Sequence, residues 1–126
     1  MEDKNPLSPH IQIYNWHISS LISISHRITG IINIIIITLI CFWASFLLLG
    51  STNYDIIKTF FETFFGKFLI AGTVWSFSFQ ILCEIRHFFW DLGYGFEIKT
   101  SNITGLLVIF GSVILTILIL AKNIIL

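Results

Sequence analysis

Two short polar clusters interrupt an otherwise apolar chain. They hold most of the side chains able to do chemistry. One is Ser23-Ile24-Ser25-His26-Arg27; the other is Glu84-Ile85-Arg86-His87, with Asp91 one helical turn beyond. Between them they offer hydroxyls, guanidinium cations, imidazoles and carboxylates, a set suited to a polar head group carried on an apolar body. Each residue also has a plainer role. Arg27 can snorkel to the membrane surface as an anchor. Arg86 can stack its guanidinium on Trp90, one turn away. His87 and Asp91, at i and i+4, can form a structural pair at a helix end. Two Arg-His clusters brought to one place are harder to explain by anchoring alone.

Helices must do the positioning. Three apolar blocks run from about residue 28 to 49, 64 to 90 and 103 to 121. Each is close to the ~20 residues needed to cross ~30 Å of hydrocarbon. In lipid such runs must be helical, because a loose backbone group finds no partner there. A closed barrel would need alternation, and Ile34 to Ile37 do not alternate. Residues 16–27 are polar but contain no breaker, so the first helix begins within them. The predicted spans are 20–49, 64–90 and 103–123, after an N-terminal surface segment over 1–18 made extended by Pro6 and Pro9. Residues 51–62 form a candidate interfacial segment. The connectors Gly50-Ser51-Thr52-Asn53 and Asp91-Leu92-Gly93-Tyr94-Gly95 are short, which makes neighbouring helices antiparallel. The start of the first span and the end of the second therefore share one membrane face, and the two clusters meet there. Spacing agrees: Thr73, Ser76, Gln80, Glu84, His87 and Asp91 form one helical stripe, and Ser19, Ser23, His26 or Arg27, and Gly30 form a similar one. Polar stripes turn inward in a bilayer, away from lipid.

Composition excludes the soluble alternatives. Of 126 residues, 56% are hydrophobic and 11% charged, and the mean hydropathy is +0.89. A soluble fold this small cannot hide so much apolar surface. The fold class is an all-α, integral membrane three-helix bundle forming a single domain over 1–126. Net charge is zero, which gives nucleic acid no electrostatic hold. Cys41 and Cys83 are too few for a metal framework and read as buried small hydrophobes. No targeting segment is visible at Met1-Glu2-Asp3-Lys4-Asn5. That fits insertion where the protein is made, in a bacterial inner membrane or an organelle with its own genome. Lys4, Arg27, Arg86 and Lys99 lie on one side; Lys58, Lys67 and Lys122 lie on or near the other. The small excess puts the N-terminus on the cytoplasmic or matrix side.

At these residues the chain resembles the cytochrome b556 subunits of succinate dehydrogenase, the larger membrane anchors of respiratory complex II. Ser8-Pro9-His10-Ile11-Gln12-Ile13-Tyr14-Asn15-Trp16 resembles the family's SPHLxIYxW segment. Ser23-Ile24-Ser25-His26-Arg27-Ile28-Thr29-Gly30 resembles SIxHRxTG, and Ile85-Arg86-His87-Phe88-Phe89-Trp90-Asp91-Leu92-Gly93 resembles IRHLxWDxG. Each motif alone is weak; all three in order, along nearly the whole chain, are specific.

The resemblance implies an anchor that, with a second small membrane subunit, docks a flavoprotein and an iron–sulfur subunit and helps form the ubiquinone-reduction site. On this pattern the chain supplies no catalytic residue for succinate oxidation. The mitochondrial inner membrane, with an organellar gene, or a bacterial inner membrane is the implied location. Ser23 and Arg27 match the family's quinone-binding serine and arginine, with Trp16 and Ile24 giving apolar contacts. Those residue types suit a quinone, because a hydroxyl donates to a carbonyl and a fixed cation stabilises an oxygen gaining negative charge. His26, His87 and Arg86 match positions on the propionate side of a haem b pocket. One position departs. Gln80 stands where the family carries an axial histidine, and an amide is a far poorer iron ligand than imidazole. Haem is therefore expected to be absent or weakly held. A structural or assembly anchor with a degenerate site, and a quinol-fumarate reductase anchor, are the competing readings. A channel or holin fits three short spans but leaves the paired Arg-His clusters without a role.

Overall fold

Each apolar block becomes one long helix in the computed structural model. It describes residues 16–48 and 51–125, with backbone alone at 47, 51–54 and 123–125. The elements are α1 (Ile18–Leu47), α2 (Ser51–Glu62), α3 (Phe64–Asp91) and α4 (Ile98–Ile125). Helices α1, α3 and α4 are each long and apolar enough to cross a bilayer. The protein is an all-α bundle of three membrane-spanning helices. The proposed surface segment before Trp16 and the turn at Gly50 lie outside the described residues.

Local chemistry sets the helix ends. His17 is extended, at φ −93° and ψ 146°, and caps α1. Thr63 caps α3: its hydroxyl oxygen accepts from the Gly66 N–H at 3.2 Å. At the other end of α3, the Tyr94 N–H donates to Phe89 O at 3.1 Å and the Gly93 N–H to Trp90 O at 2.8 Å. That paired closure needs a left-handed residue, supplied by Gly93 at φ +87°. Helix α4 begins at Ile98, earlier than the apolar block suggests. Residues Ile98 to Asn102 include no Gly or Pro, and the Ser101 N–H already donates to Glu97 O at 2.8 Å.

Packing is inverted relative to a water-soluble protein. The buried apolar core among the described residues is Ile22, Phe79, Cys83 and Val108, whereas Thr29, Asn33, Ser76, Ser78, Arg86, Ser112 and Thr116 are buried polar groups. Most large apolar side chains, including Ile31, Ile34, Phe42, Leu107 and Phe110, point outward. Lipid solvates those side chains as well as a core would, so association rests on close packing and interhelical hydrogen bonds. Cys83 is buried as expected; Cys41 is exposed, because its side of α1 faces lipid.

The register is antiparallel between α1 and α3. Descending α3, Glu84, Gln80 and Ser76 meet His26, Thr29 and Asn33 in turn. Helix α4 packs antiparallel to α3 and runs alongside α1. A Cβ placed on Gly105 would lie 2.6 Å from Ile22 Cδ1 and 3.0 Å from Ile18 Cγ2. Glycine allows that approach without any shift of Ile22 or Ile18. The start of α1, the end of α3 and the start of α4 therefore share one membrane face.

Candidate functional site

Three layers of polar contact tie α1 to α3. At the membrane face, the His26 Nε2–H donates to Glu84 Oε1 at 3.1 Å. The His87 ring sits 5.7 Å from the His26 ring and meets Trp90 edge-on at 5.2 Å. One turn deeper, the Gln80 amide donates to His26 O at 2.7 Å and to Thr29 Oγ1 at 3.1 Å. Below that, the Ser76 hydroxyl donates to Asn33 Oδ1 at 2.7 Å. The stripe read on α3 faces α1 from Ser76 to Glu84, but it is turned inward only at Ser76 and Gln80; Glu84, His87 and Asp91 are exposed.

The meeting of the two clusters is only partial. His26 joins Glu84 and His87. Arg86 does not face Ser23 or Arg27; it turns to α4. Its Nε donates to Thr104 Oγ1 at 3.2 Å, and its Nη2 donates to Ser101 O and Ser101 Oγ, both at 2.9 Å. Its Cζ lies 4.1 Å from the Trp90 ring centroid, the stack that the spacing allows. Helical phase separates them: Arg86 and His87 are about 100° apart around α3, so one turns toward α4 and the other toward α1, although both touch Trp90. The i, i+4 pair of His87 with Asp91 is not among the ion pairs of the described residues. His87 is held by the two rings, and Asp91 is exposed.

Ser23 and Arg27 fall within about 40° of each other around α1, and both are exposed, as is Trp16 just before the helix. Ile24 borders them and is also exposed. This strip is left uncovered by α3 and α4. On α3, Glu84, His87 and Asp91 line a shallow groove of about 480 Å³ with Ile85, Phe88 and Phe89.

Gln80 does not fit as an axial haem ligand. Both amide bonds of Gln80 are spent on α1, and a Cβ at Gly30 would come 3.1 Å from its Nε2. The side chain is wedged between the helices as a clasp. Among the described residues no group of three or more His, Cys, Asp or Glu is placed to hold a metal. Gln80→Leu is expected to weaken the α1–α3 contact by about 0.6–2 kcal/mol. A thermal melt of the purified complex should show it as a Tm a few degrees lower; an unchanged Tm would remove the clasp role.

Sequence reasoning did not single out Asn33, Ser101 or Thr104. A signal existed: Ser101, Thr104, Val108, Ser112 and Thr116 repeat every three or four residues and mark the inward face of α4.

Fold and site together define a class: a three-span membrane subunit with a polar site at one membrane face. Comparison with known proteins makes this specific. A family model described as succinate dehydrogenase/fumarate reductase transmembrane subunit matches residues 1–119. The succinate dehydrogenase cytochrome b556 subunit of Rickettsia felis is 36% identical over 116 residues, 92% of this chain and 90% of the relative. That of Paracoccus denitrificans is 32% identical over 113 residues, 90% and 87% of the two chains. The cytochrome b560 subunit of Marchantia polymorpha is 32% identical over 127 residues, 94% and 90%. The chain belongs to the succinate dehydrogenase/fumarate reductase transmembrane subunit family.

Proposed function

We propose that the chain is the quinone-site anchor of a succinate dehydrogenase, working from the exposed strip of α1. The observation that carries the reading is the strip itself: Ser23 and Arg27 exposed on one side of α1, with Trp16 exposed just before it, at the membrane face where His26, Glu84 and His87 cluster. Ubiquinone fits as a polar ring on an apolar tail. The Ser23 hydroxyl donates to one quinone carbonyl oxygen. Arg27 holds a positive charge beside that oxygen as electrons arrive and negative charge develops. Trp16 and Ile24 pack on the ring and the first part of the tail. The electrons come from an iron–sulfur partner that a flavoprotein reduces with succinate. A second membrane anchor closes the open side, and protons reach the quinone from partner subunits or water. The N-terminal side then faces the matrix or cytoplasm, in a mitochondrial or bacterial inner membrane.

Haem, when a complex of this family binds it, offers the electrons a further one-electron stop near the quinone. Here His26 and His87 are candidates for its propionate side, and Gln80 supplies no iron bond.

The test is to purify the complex through a tag on this chain. A flavoprotein and an iron–sulfur protein should copurify. Ser23→Ala should lower succinate:quinone reductase activity about tenfold, a loss of about 1.4 kcal/mol, and spare succinate oxidation by an artificial dye. Unchanged quinone reduction would sink the assignment. The clasped Gln80 favours a second reading, an anchor with a degenerate site. It expects no b-type absorption band and equal quinone reduction in wild type and Ser23→Ala.

A further inference from the structure

Arg86 is the most deeply buried charge among the described residues, 7% exposed, and the quinone reading does not use it. Its three hydrogen bonds go to neutral acceptors, Thr104 Oγ1, Ser101 Oγ and Ser101 O. The ion pair among the described residues joins His26 and Glu84, on a different side of α3. The remaining carboxylate on that helix end, Asp91, lines the Glu84 groove. Among the described residues no carboxylate pairs with Arg86, and beyond its hydrogen bonds the cation meets the Trp90 ring; a cation so placed in a membrane-spanning helix calls for an anion.

The space beside it has a matching shape. A trough of about 410 Å³ runs between α3 and α4. Arg86, Tyr94, Thr100 and Thr104 line its polar end, and Leu82 and Leu107 line its apolar end. From Thr100 to the depth of Val108 it extends about 12 Å along α4. Trp90 and Phe96 stack at 6.4 Å near its mouth, and Tyr94 is exposed there. Such aromatic rings mark the headgroup level of a bilayer. The Nε and Nη2 groups are committed to α4, which fixes the guanidinium plane and leaves Nη1 outside those three bonds.

We propose that this trough binds one anionic phospholipid, its phosphate on Arg86 and an acyl chain along Leu82 and Leu107. A soluble anion would satisfy the charge but leave the apolar floor unfilled. A quinone would fill the floor but bring no anion to the cation.

The intact complex, stripped of lipid in detergent, is incubated with micelles of equimolar phosphatidylglycerol and phosphatidylcholine. Retained lipid is counted by native mass spectrometry. Wild type should keep one phosphatidylglycerol per copy of this chain, and millimolar inorganic phosphate should not displace it. Arg86→Gln should reduce that retention at least tenfold. Leu107→Trp, which fills the trough without touching Arg86, should do the same. It provides the readout if Arg86→Gln does not assemble. Equal retention of phosphatidylcholine overturns the proposal. So does displacement by phosphate, by a ubiquinone analogue, or undiminished phosphatidylglycerol in Leu107→Trp.

Discussion

Replacing Arg27 with alanine is expected to lower succinate:quinone reductase activity roughly 10- to 100-fold, and to leave succinate oxidation by an artificial acceptor near the wild-type rate. The size follows from the interaction removed. A hydrogen bond to a charged group contributes about 1.5–3 kcal/mol, and each ~1.4 kcal/mol is a decade in rate. The selectivity follows from the geometry. Arg27 is exposed on α1 and is not part of the ladder that ties α1 to α3. Its loss should leave the bundle and the docked subunits in place. Arg27→Lys should be intermediate, because lysine keeps the charge but not the planar fork of donors. A parallel fall in both activities would mean that Arg27 serves assembly, and an unchanged quinone rate would remove it from the site.

The second large effect is expected at Gly105. Its ideal Cβ would sit 2.6 Å from Ile22 Cδ1, 3.0 Å from Ile18 Cγ2 and 3.9 Å from Arg86 Nη2. The first two atoms are ends of flexible side chains, so Gly105→Ala should be tolerated with a modest fall in Tm. Gly105→Leu adds three more carbons where α1 and α4 touch. Overpacking of this kind costs about 1–3 kcal/mol, and separating the helices also breaks their van der Waals contact, which drives association in lipid. The Leu variant should give little assembled complex by size-exclusion chromatography, and the Ala variant nearly wild-type yield. Equal yields from both would show that the α1–α4 contact is not needed for assembly.

Much of this was legible in the chain. Long apolar runs can span lipid only as helices, and short connectors force antiparallel neighbours, so the bundle and the face carrying the site followed directly. The stripe from Ser76 to Glu84 was equally readable, since helical spacing fixes which residues share a side. What spacing could not supply was the partner of each side. Arg86 and His87 are adjacent in sequence, and a motif treats them as a unit; the helix sends one to α4 and the other to α1. Gln80 was read as a missing iron ligand, which its residue type reveals. Its two hydrogen bonds, to His26 O and Thr29 Oγ1, depend on how closely Gly30 lets α3 approach, a tertiary distance. Cys41 was misplaced because an apolar neighbourhood means burial in water but means lipid contact here.

The polar ladder between α1 and α3 also bears on how the chain enters the membrane. α3 is the least apolar of the three spans. It carries Ser76, Gln80, Glu84 and Arg86, each costly to leave facing hydrocarbon. Threaded alone, it is the weakest candidate for partitioning out of the insertion channel. His26, Thr29 and Asn33 of α1 are the partners of Glu84, Gln80 and Ser76, whereas Arg86 finds its partners on α4. The bonds that tie α1 to α3 are thus also what keeps the polar residues of the least apolar span away from hydrocarbon.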